Sequence, residues 1–263
     1  MLFFMRVLDL FAGIGGFSLG LEKAGFETVA FCEIDPYAQS VLKKNWPGIP
    51  VYDDVRCITA DRLVSDGIGV DVITGGFPCQ DISVAGNQKG IDAERSGLWS
   101  ECARLLGELR PRYAIFENVT NLLNGDGGNW FKRVLWDISQ IGYDAEWHCI
   151  SASAVGAHHH RDRVWIVAYP ANISDPSSKG LQGGKKTGND GKDRQEPRNQ
   201  LITRLGGVQR GIWEIEPNVG RVANGIPKRS HRLKCLGNAV VPQIPEIIGN
   251  TLIKEVKDGR SYS

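Results

Sequence analysis

The chain has 263 residues, a formal net charge of +1, 41% hydrophobic residues and 23% charged residues, which are values typical of a globular protein. There is no overall basic excess to indicate a nucleic-acid-binding protein and no acidic excess to indicate a disordered one, so any such binding must depend on local charge. The 32 glycines are roughly twice the usual share, and they indicate tight turns or close approach of the backbone to a ligand.

The N-terminal stretch is apolar, but Arg6 and Asp9 interrupt it too early for a secretory signal. No run of residues reaches the roughly 20 apolar positions of a membrane span. We therefore expect a cytoplasmic protein with no membrane partner. The six cysteines include no C-x-x-C pair, so we expect reduced thiols, one of which is a candidate nucleophile.

Up to about Ala168, short β-rich runs alternate with helical patterns, which predicts a parallel sheet covered by helices. The predicted strands are Arg6–Leu10, Thr28–Cys32, Val70–Thr74, Tyr113–Phe116, Ala145–Ile150 and Val164–Ala168. Apolar residues at helical spacing predict helices over Leu98–Leu109 and Phe131–Ile141. Apolar patterning returns at Leu233–Ile253, which predicts a closing helix that rejoins the first domain.

The character of the chain changes after Pro170. Residues 174–199 are rich in Gly, Ser, Lys, Asp and Asn and nearly lack large apolar side chains, so they can bury little surface. Between Lys179 and Arg210 basic residues outnumber acidic ones. This segment is either a solvated insertion, which its composition favours, or an arm that contacts phosphates.

A glycine-rich turn, Phe11–Gly16, joins the first predicted strand to a helical pattern. Such a turn lets a nucleotide-like cofactor approach the backbone closely. Glu33 follows Gly13 by about 20 residues and ends the next predicted strand, where an acid commonly binds ribose hydroxyls. The pattern is compatible with NAD, FAD or S-adenosylmethionine, and also with a tight turn beside an exposed acid.

A second glycine turn, Gly75–Gln80, brings Cys79 to the carboxyl edge of the predicted sheet, where ligands of open α/β sheets bind. A lone cysteine is more often a small buried hydrophobic residue. This turn disfavours deep burial, however, and the polar stretch Gln80–Arg95 has the composition of a mobile loop. Glu117 reaches the same edge from another strand and is a candidate acid or base.

Taken in order, five segments of the chain resemble the motifs of the cytosine-5 DNA methyltransferases. They are Asp9–Phe17, Gly76–Gln80, Glu117–Val119, Arg161–Arg163 and Gly237–Pro242. The Pro-Cys-Gln and Glu-Asn-Val elements are highly specific in combination. The resemblance covers residues 6–168 and 212–253, and it implies a compact phage-type or restriction-modification-type member. The implied fold is the doubly wound, Rossmann-like α/β sheet of S-adenosylmethionine-dependent methyltransferases with a small target-recognition domain.

The chemistry of this family explains why such residues are needed. C5 of cytosine is a poor nucleophile, so a thiolate must first add to C6 before C5 can attack a methyl sulfonium. By resemblance, Cys79 adds to C6, while Glu117 hydrogen-bonds N3 and the exocyclic amine. Arg161 and Arg163 would support the cytosine carbonyl and the glutamate. Because C6 of a stacked cytosine is inaccessible, the resemblance also implies base flipping.

The resemblance further implies an S-adenosylmethionine site. Phe11 and Ile34 would pack on the adenine, Asp54 would accept a hydrogen bond from its exocyclic amine, and Glu33 would bind the ribose. The remaining implied cofactor residues are Gly13, Ile14, Gly16, Val55, Phe77, Pro78, Leu98, Asn238 and Val240.

Double-stranded DNA is the implied partner, and we expect a monomer; no residue pattern assigns a cognate restriction endonuclease. Residues 1–169 and 225–263 would form the catalytic and cofactor-binding domain, and residues 170–224 a small, partly disordered target-recognition region. Ser83 and Arg95 would lie near phosphates. The predicted phosphate contacts of the basic arm are Lys185, Lys186, Lys192 and Arg194.

The chain departs from the family pattern at His158, His159 and His160, where the family usually has a glutamine and basic residues. Neighbouring side chains in an extended segment point to alternate faces and cannot all reach one ion, so we predict no metal site. Three alternative functions are open: an RNA (tRNA) cytosine-5 methyltransferase, a catalytically silent DNA-binding protein of this fold, and a dinucleotide oxidoreductase that shares the glycine turn.

Overall fold

The structure is a computed structural model that describes residues 4–78, 97–171 and 229–257, with the side chains of residues 229–233 left undescribed. The strands are β1 (Arg6–Leu10), β2 (Glu27–Cys32), β3 (Val51–Tyr52), β4 (Val72–Gly75), β5 (Tyr113–Val119), β6 (Tyr143–Ser151) and β7 (Asp162–Pro170). The α-helices are α1 (Gly16–Lys23), α2 (Pro36–Asn45), α3 (Ala60–Ser65), α4 (Leu98–Leu109), α5 (Asn121–Asn124), α6 (Asn129–Gln140), α7 (Arg229–Asn238) and α8 (Gln243–Lys257). Short 3-10 helices cover Val55–Cys57, Gly125–Gly128 and Ala152–Val155.

The seven strands form one sheet in the order β3-β2-β1-β4-β5-β7-β6. The first five strands are parallel, whereas β7 is antiparallel to both β5 and β6. The expectation of an entirely parallel sheet is therefore wrong for β7, which runs opposite to the other described strands. A short connection joins β6 to β7, and a parallel pair would need a longer crossover, usually with a helix.

The chain leaves β1 toward β2 and β3 on one side, and later returns to β4 and β5 on the other. The connections therefore diverge between β1 and β4. In open α/β sheets, ligands bind outside the carboxyl ends of the strands at such a point. The topology thus selects one edge of the sheet for the site.

The core has one layer on each face of the sheet. On one face, β1 and β4 pack on α4 and α6 through Leu8, Ile73 and Leu105. On the other face, they pack on α1 and α8 through residues such as Val7 and Ile248. None of the helices within the described ranges is long and apolar enough to cross a membrane.

The C-terminal segment forms two helices rather than the one continuous helix predicted. Pro242 lies between α7 and α8, and a proline inside a helix removes a backbone hydrogen bond. α8 packs closely on α1, because a Cβ atom at Gly20 would lie 2.1 Å from the carbonyl oxygen of Pro242, and one at Gly249 would lie 2.8 Å from Cβ of Ala24. Only glycine allows this approach at either position.

Asp9 is a fully buried acid in the centre of the sheet. Its Oδ2 accepts a hydrogen bond from the Ser18 hydroxyl of α1, and its Oδ1 accepts one from the Thr74 hydroxyl of β4, both at 2.8 Å. Burial raises the pKa of Asp9 to about 6, although both hydroxyl hydrogen bonds oppose the rise. Asp9 is therefore easier to protonate in the folded protein than in the unfolded chain.

Asp9→Asn should change how stability depends on pH. An acid with a raised pKa in the folded state contributes stability that is complete below its unfolded pKa, near 4, and is lost as the pH rises to about 6. The free energy of unfolding of wild type should therefore fall by roughly 2–3 kcal/mol over this window relative to Asp9→Asn. Urea denaturation at pH 4, 5, 6 and 7 measures the difference.

Asp71→Asn is a matched control. Burial raises the pKa of Asp71, but the hydrogen bonds and charge of Arg6 outweigh burial and lower it. Its contribution is lost only as the pH falls through that lowered value, so the effect of Asp71→Asn should be constant between pH 5 and 7. Parallel pH profiles for wild type and Asp9→Asn would refute the assignment of Asp9.

Candidate active site

A cleft of about 790 Å³ opens at the carboxyl edge of the sheet. Each parallel strand contributes the residues that follow it or its own last residues, and the start of β7 and the end of α7 complete the lining. The residues proposed from the sequence that line it are Phe11, Glu33, Ile34, Asp54, Val55, Phe77, Pro78, Leu98, Glu117, Arg161, Arg163 and Asn238. Residues distributed over most of the sequence thus meet in one cleft.

Four proposed cofactor residues do not line this cleft: Gly13, Ile14, Gly16 and Val240. Gly16 and Val240 instead pack against each other, because a Cβ atom at Gly16 would lie 2.6 Å from the carbonyl oxygen of Val240. Their contact holds the C-terminal segment against the glycine turn. These two residues therefore support the glycine turn, which contributes Phe11 to the cleft, without lining the cleft themselves.

Glu33 joins the ends of two strands. Its Oε2 accepts a hydrogen bond from the backbone N–H of Gly13 at 2.7 Å, and its Oε1 accepts one from the N–H of Asp35 at 2.8 Å. The residue is 9% exposed and lines the cleft. A carboxylate has about four lone-pair sites, so two remain for a ligand. The geometry suits an acid that both fixes the glycine turn and accepts hydrogen bonds from hydroxyl groups.

Two apolar side chains border the same part of the cleft. Ile34 is 72% exposed, and Phe11 has a φ of 53°, in the left-handed region that residues other than glycine rarely adopt. Strained backbone of this kind clusters at ligand-binding sites. An exposed isoleucine and a phenylalanine in one cleft could pack on a flat aromatic group such as adenine.

Residues Asp53–Arg56, which follow β3, form one wall of the cleft and include Asp54. The carboxylate of Asp54 accepts a hydrogen bond from the Arg56 backbone N–H at 2.9 Å and pairs with the Arg56 guanidinium at 2.7 Å. These hydrogen bonds lower the pKa of Asp54, so it remains an acceptor at neutral pH. Both of its oxygens are already engaged by Arg56, so a ligand amine would share them.

The opposite end of the cleft holds a buried ion pair. Nε of Arg163 lies 2.9 Å from Oε1 of Glu117, which is 9% exposed. Burial raises the pKa of Glu117, although the charges of Arg163 and Arg161 oppose the rise. A carboxyl group with a raised pKa can donate a hydrogen bond to a ring nitrogen and accept one from a neighbouring amine.

Arg161 connects this ion pair to the C-terminal segment, because its Nη1 donates a hydrogen bond to the carbonyl of Gly237. Burial and the nearby charge of Arg163 lower the pKa of Arg161. The two arginines therefore have different tasks. Arg163 pairs with the acid, and Arg161 fixes the end of α7 at the cleft.

The backbone at Phe77, two residues before Cys79, is held by contacts with α4 and β5. Phe77 packs on Trp99 with ring centroids 5.1 Å apart, and Nδ2 of buried Asn118 donates a hydrogen bond to the Phe77 carbonyl at 3.2 Å. Nε1 of Trp99 in turn donates to Asp137 at 2.9 Å. The proposed site residues outside the described part of the chain are Cys79, Ser83, Arg95, Lys185, Lys186, Lys192 and Arg194.

Sequence reasoning missed several residues that line the cleft. They are Cys32, Asp35, Asp53, Arg56, Gly76, Asn118, Val119, Lys234, Cys235 and Gly237. Lys234 of α7 pairs with Asp35 at 3.1 Å, which bridges the cleft between residues that are remote in sequence. Four of these residues lie inside the recognised motifs, so the motifs could have identified them: Gly76, Asn118, Val119 and Gly237. The other residues lie outside the motifs.

Residues 5–208 match the family model described as C-5 cytosine-specific DNA methylase, which spans more than half of the chain. The chain belongs to this family. The family and the Rossmann-like α/β fold predicted from the sequence are therefore confirmed. S-adenosylmethionine, the methyl donor of C-5 cytosine methylases, is the cofactor that the sequence predicts.

Curated relatives include type II methyltransferases. M2.BsuMI of Bacillus subtilis is 38% identical over 168 residues, which cover 62% of this chain and 42% of that protein. M.Bsp6I of a Bacillus species is 37% identical over 168 residues, which cover 63% of this chain and 52% of that protein. The chain thus spans about half the length of the curated relatives that it matches.

Among solved structures, one described as a DNA modification methyltransferase encoded within an Escherichia coli prophage aligns with a TM-score of 0.55 and 29% identity. The alignment covers 63% of this chain and 47% of that chain.

Glu33→Ala should weaken binding of S-adenosylhomocysteine by about 10- to 100-fold, because hydrogen bonds to a charged acceptor contribute roughly 1.5–3 kcal/mol. Glu33→Gln, which keeps one acceptor oxygen, should have an intermediate effect. Isothermal titration calorimetry measures both. Glu27→Ala, at the exposed opposite end of β2, is the control and should bind as wild type does. Unchanged affinity of Glu33→Ala would remove Glu33 from the cofactor site.

Proposed function

We propose that this chain is an S-adenosylmethionine-dependent DNA (cytosine-5-)-methyltransferase that acts on a flipped cytosine in duplex DNA through a covalent adduct between Cys79 and C6. One observation carries the proposal: the Glu117–Arg163 ion pair opens onto the same cleft as Glu33 and Ile34. A group able to bind a pyrimidine edge thus shares a cleft with a group able to bind a nucleoside.

Bound S-adenosylmethionine would supply an electrophilic methyl group on a sulfonium sulfur. Its site has a suitable chemical character, because the cleft combines exposed apolar side chains for an adenine with the partly satisfied carboxylate of Glu33 for ribose hydroxyls. Leu98 and Phe77 give the same cleft an apolar floor. The proposed cofactor residues are those named from the sequence, with Gly16 and Val240 supporting the glycine turn.

Cys79 would act first, as a thiolate whose sulfur forms a bond to C6 of cytosine. The electron pair of the C5–C6 double bond moves into the ring, where Glu117 stabilises it by donating a proton or hydrogen bond to N3. C5 then takes the methyl group, for which S-adenosylhomocysteine would be the leaving group. A base removes the C5 proton, the electrons of that bond re-form the C5–C6 double bond, and the C6–S bond breaks to release the thiolate. N3 returns any proton that it received to Glu117, so that Cys79 and Glu117 are regenerated.

The raised pKa of Glu117 suits this role, because burial makes its carboxyl easier to protonate, and a protonated carboxyl can give its proton to N3 as charge develops. Arg163 holds the Oε1 oxygen and leaves the other oxygen to face a base. Asn118 and Trp99 would fix the turn that leads to the nucleophile.

DNA binding is proposed for the segments outside the described residues. Ser83 and Arg95 would lie near phosphates beside the flipped base, and residues 170–224 would form a small target-recognition region. The enzyme would act as a monomer on a short target site, since a small reader contacts few bases.

Cys79→Ala should abolish methyl transfer to duplex DNA while S-adenosylhomocysteine binding stays within about twofold of wild type, because the thiol acts on the base.

Glu117→Gln keeps the shape of the side chain but cannot supply the proton, so its rate should fall by about 10²–10⁴-fold. Tritiated methyl incorporation into duplex DNA and into tRNA measures both variants and separates the DNA and RNA substrates.

A duplex with 5-fluorocytosine at the target should form a covalent adduct with wild type and none with Cys79→Ala, because fluorine blocks removal of the C5 substituent. Near-normal methylation by Cys79→Ala would refute the nucleophile. Binding of NAD in place of S-adenosylhomocysteine would instead favour an oxidoreductase, and absent transfer with intact DNA binding would favour a silent binding protein.

The basic arm can be tested through salt dependence. The test replaces four basic residues with alanine: Lys185, Lys186, Lys192 and Arg194. The slope of the logarithm of the binding constant against the logarithm of the salt concentration should become less steep by about 0.9 for each phosphate that the protein no longer neutralises. Binding should weaken alike for all sequences, because phosphate contacts do not read bases. Fluorescence anisotropy with cognate and random duplexes measures this. An unchanged slope and affinity would identify the segment as a solvated insertion.

A further inference from the structure

Arg104 of α4 lies behind the cleft, outside every motif recognised in the sequence. Its Nη2 donates hydrogen bonds to the backbone carbonyls of Ile58 at 2.9 Å and Val55 at 3.2 Å. These two carbonyls flank the 3-10 helix Val55–Cys57. The guanidinium therefore holds both ends of this helix, whose first two residues, Val55 and Arg56, belong to the wall Asp53–Arg56 that lines the cleft.

The guanidinium is itself fixed by two acids of its own helix. Glu101, one turn before Arg104, lies 2.7 Å from Nη2, and Glu108, one turn after it, lies 2.8 Å from Nη1. The second oxygen of Glu108 accepts a hydrogen bond from the Ala60 backbone N–H at 3.2 Å. This planar group thus spans several acceptors at once, which the single charged nitrogen of a lysine cannot do.

Regular secondary structure gives this wall little support. β3, which precedes it, is an edge strand of two residues, and the 3-10 helix is a single turn with weak hydrogen-bond geometry. Val55 and Ile58 are buried, yet the polar residues between Tyr52 and Val55 are not held by any regular element. The direction of the wall therefore depends on the contacts that α4 makes with it.

The same helix also supports the floor of the cleft. Leu98, its first residue, lines the cleft, and Trp99 packs beneath Phe77. α4 thus sets the distance between the floor and the Asp53–Arg56 wall. Glu117 and Arg163, by contrast, pair with each other on β5 and β7, and within the described ranges neither forms a hydrogen bond or ion pair with Arg104.

We propose that Arg104 is a positioning residue for the methyl-donor site, which it serves by holding the Asp53–Arg56 wall at the spacing that a bound nucleoside requires. The identity of that ligand rests on the proposed function. Because Arg104 acts on the wall and not on the catalytic ion pair, its loss affects binding of the donor rather than the chemical step at cytosine.

The test compares Arg104→Met, which keeps the length and apolar stem, with Arg104→Lys, which restores the charge but not the planar fork. Arg104→Met should raise the dissociation constant for S-adenosylhomocysteine and the KM for S-adenosylmethionine about tenfold. Its kcat at saturating donor should stay within about twofold of wild type. Arg104→Lys should recover only part of the affinity.

Arg6→Met is the matched control. Arg6 forms a comparable two-bond pair with Asp71 at the amino edge of the sheet, away from the cleft, and in the part of the chain that the structure describes its side chain donates to no backbone carbonyl. This variant should bind the donor as wild type does. Glu101→Gln, which removes one restraint on Arg104 and leaves both carbonyl bonds, should change affinity by less than about threefold.

Hydrogen exchange keeps the proposal testable if stability also changes. In Arg104→Met the amides of Cys57 and Ile58, which close the 3-10 turn, should exchange faster, while amides of β1 and β4 stay protected. Faster exchange throughout the sheet, or wild-type affinity in Arg104→Met, would overturn the positioning role. A wild-type protein that fails to bind S-adenosylhomocysteine would refute the proposed function instead, independently of Arg104.

Discussion

The constraint on which the site depends is the divergence of the chain between β1 and β4. Two adjacent parallel strands whose connections run in opposite directions leave a crevice at their carboxyl ends that the sheet cannot fill. Every parallel strand ends at this crevice, so the residues just after each strand, such as Glu33 and Phe77, become its lining. Position in the sheet, more than position in the sequence, decides which side chains meet.

Three acids of the described residues are buried, one in the centre of the sheet and two at this edge, and each is satisfied in a different way. Two hydroxyl groups surround Asp9, two backbone amides hold Glu33, and an arginine pairs with Glu117. Hydroxyl groups compensate only partly for burial, so the pKa of Asp9 is raised while its carboxyl links α1 to β4. The charges of Arg163 and Arg161 oppose the rise that burial causes in the pKa of Glu117. The partners, not burial alone, separate a structural acid from acids able to bind a ligand.

Much of the fold follows from sequence patterns. The bounds of β1 and α4 were predicted because apolar periodicity is continuous there, and the glycine turns marked the carboxyl edge. β3 was missed, because two residues show no periodicity, and the antiparallel direction of β7 was missed, because strand direction depends on connection length. The contacts of Arg104 and the Lys234–Asp35 pair were also invisible, since they join segments remote in sequence through side chains with no local pattern.

The C-terminal segment completes the site from a distance, and its glycines explain how. Close approach at Gly20 seats α8 on α1, and close approach at Gly16 seats Val240 behind the glycine turn. The end of α7 is thereby brought over the cleft, where the Gly237 carbonyl accepts a hydrogen bond from Arg161. Arg161, beside Glu117, is therefore oriented by the same segment that pairs with Asp35 through Lys234 at the other end of the cleft. Since these contacts join segments from opposite halves of the sequence, the geometry of both ends of the cleft depends on the packing of the C-terminal helices.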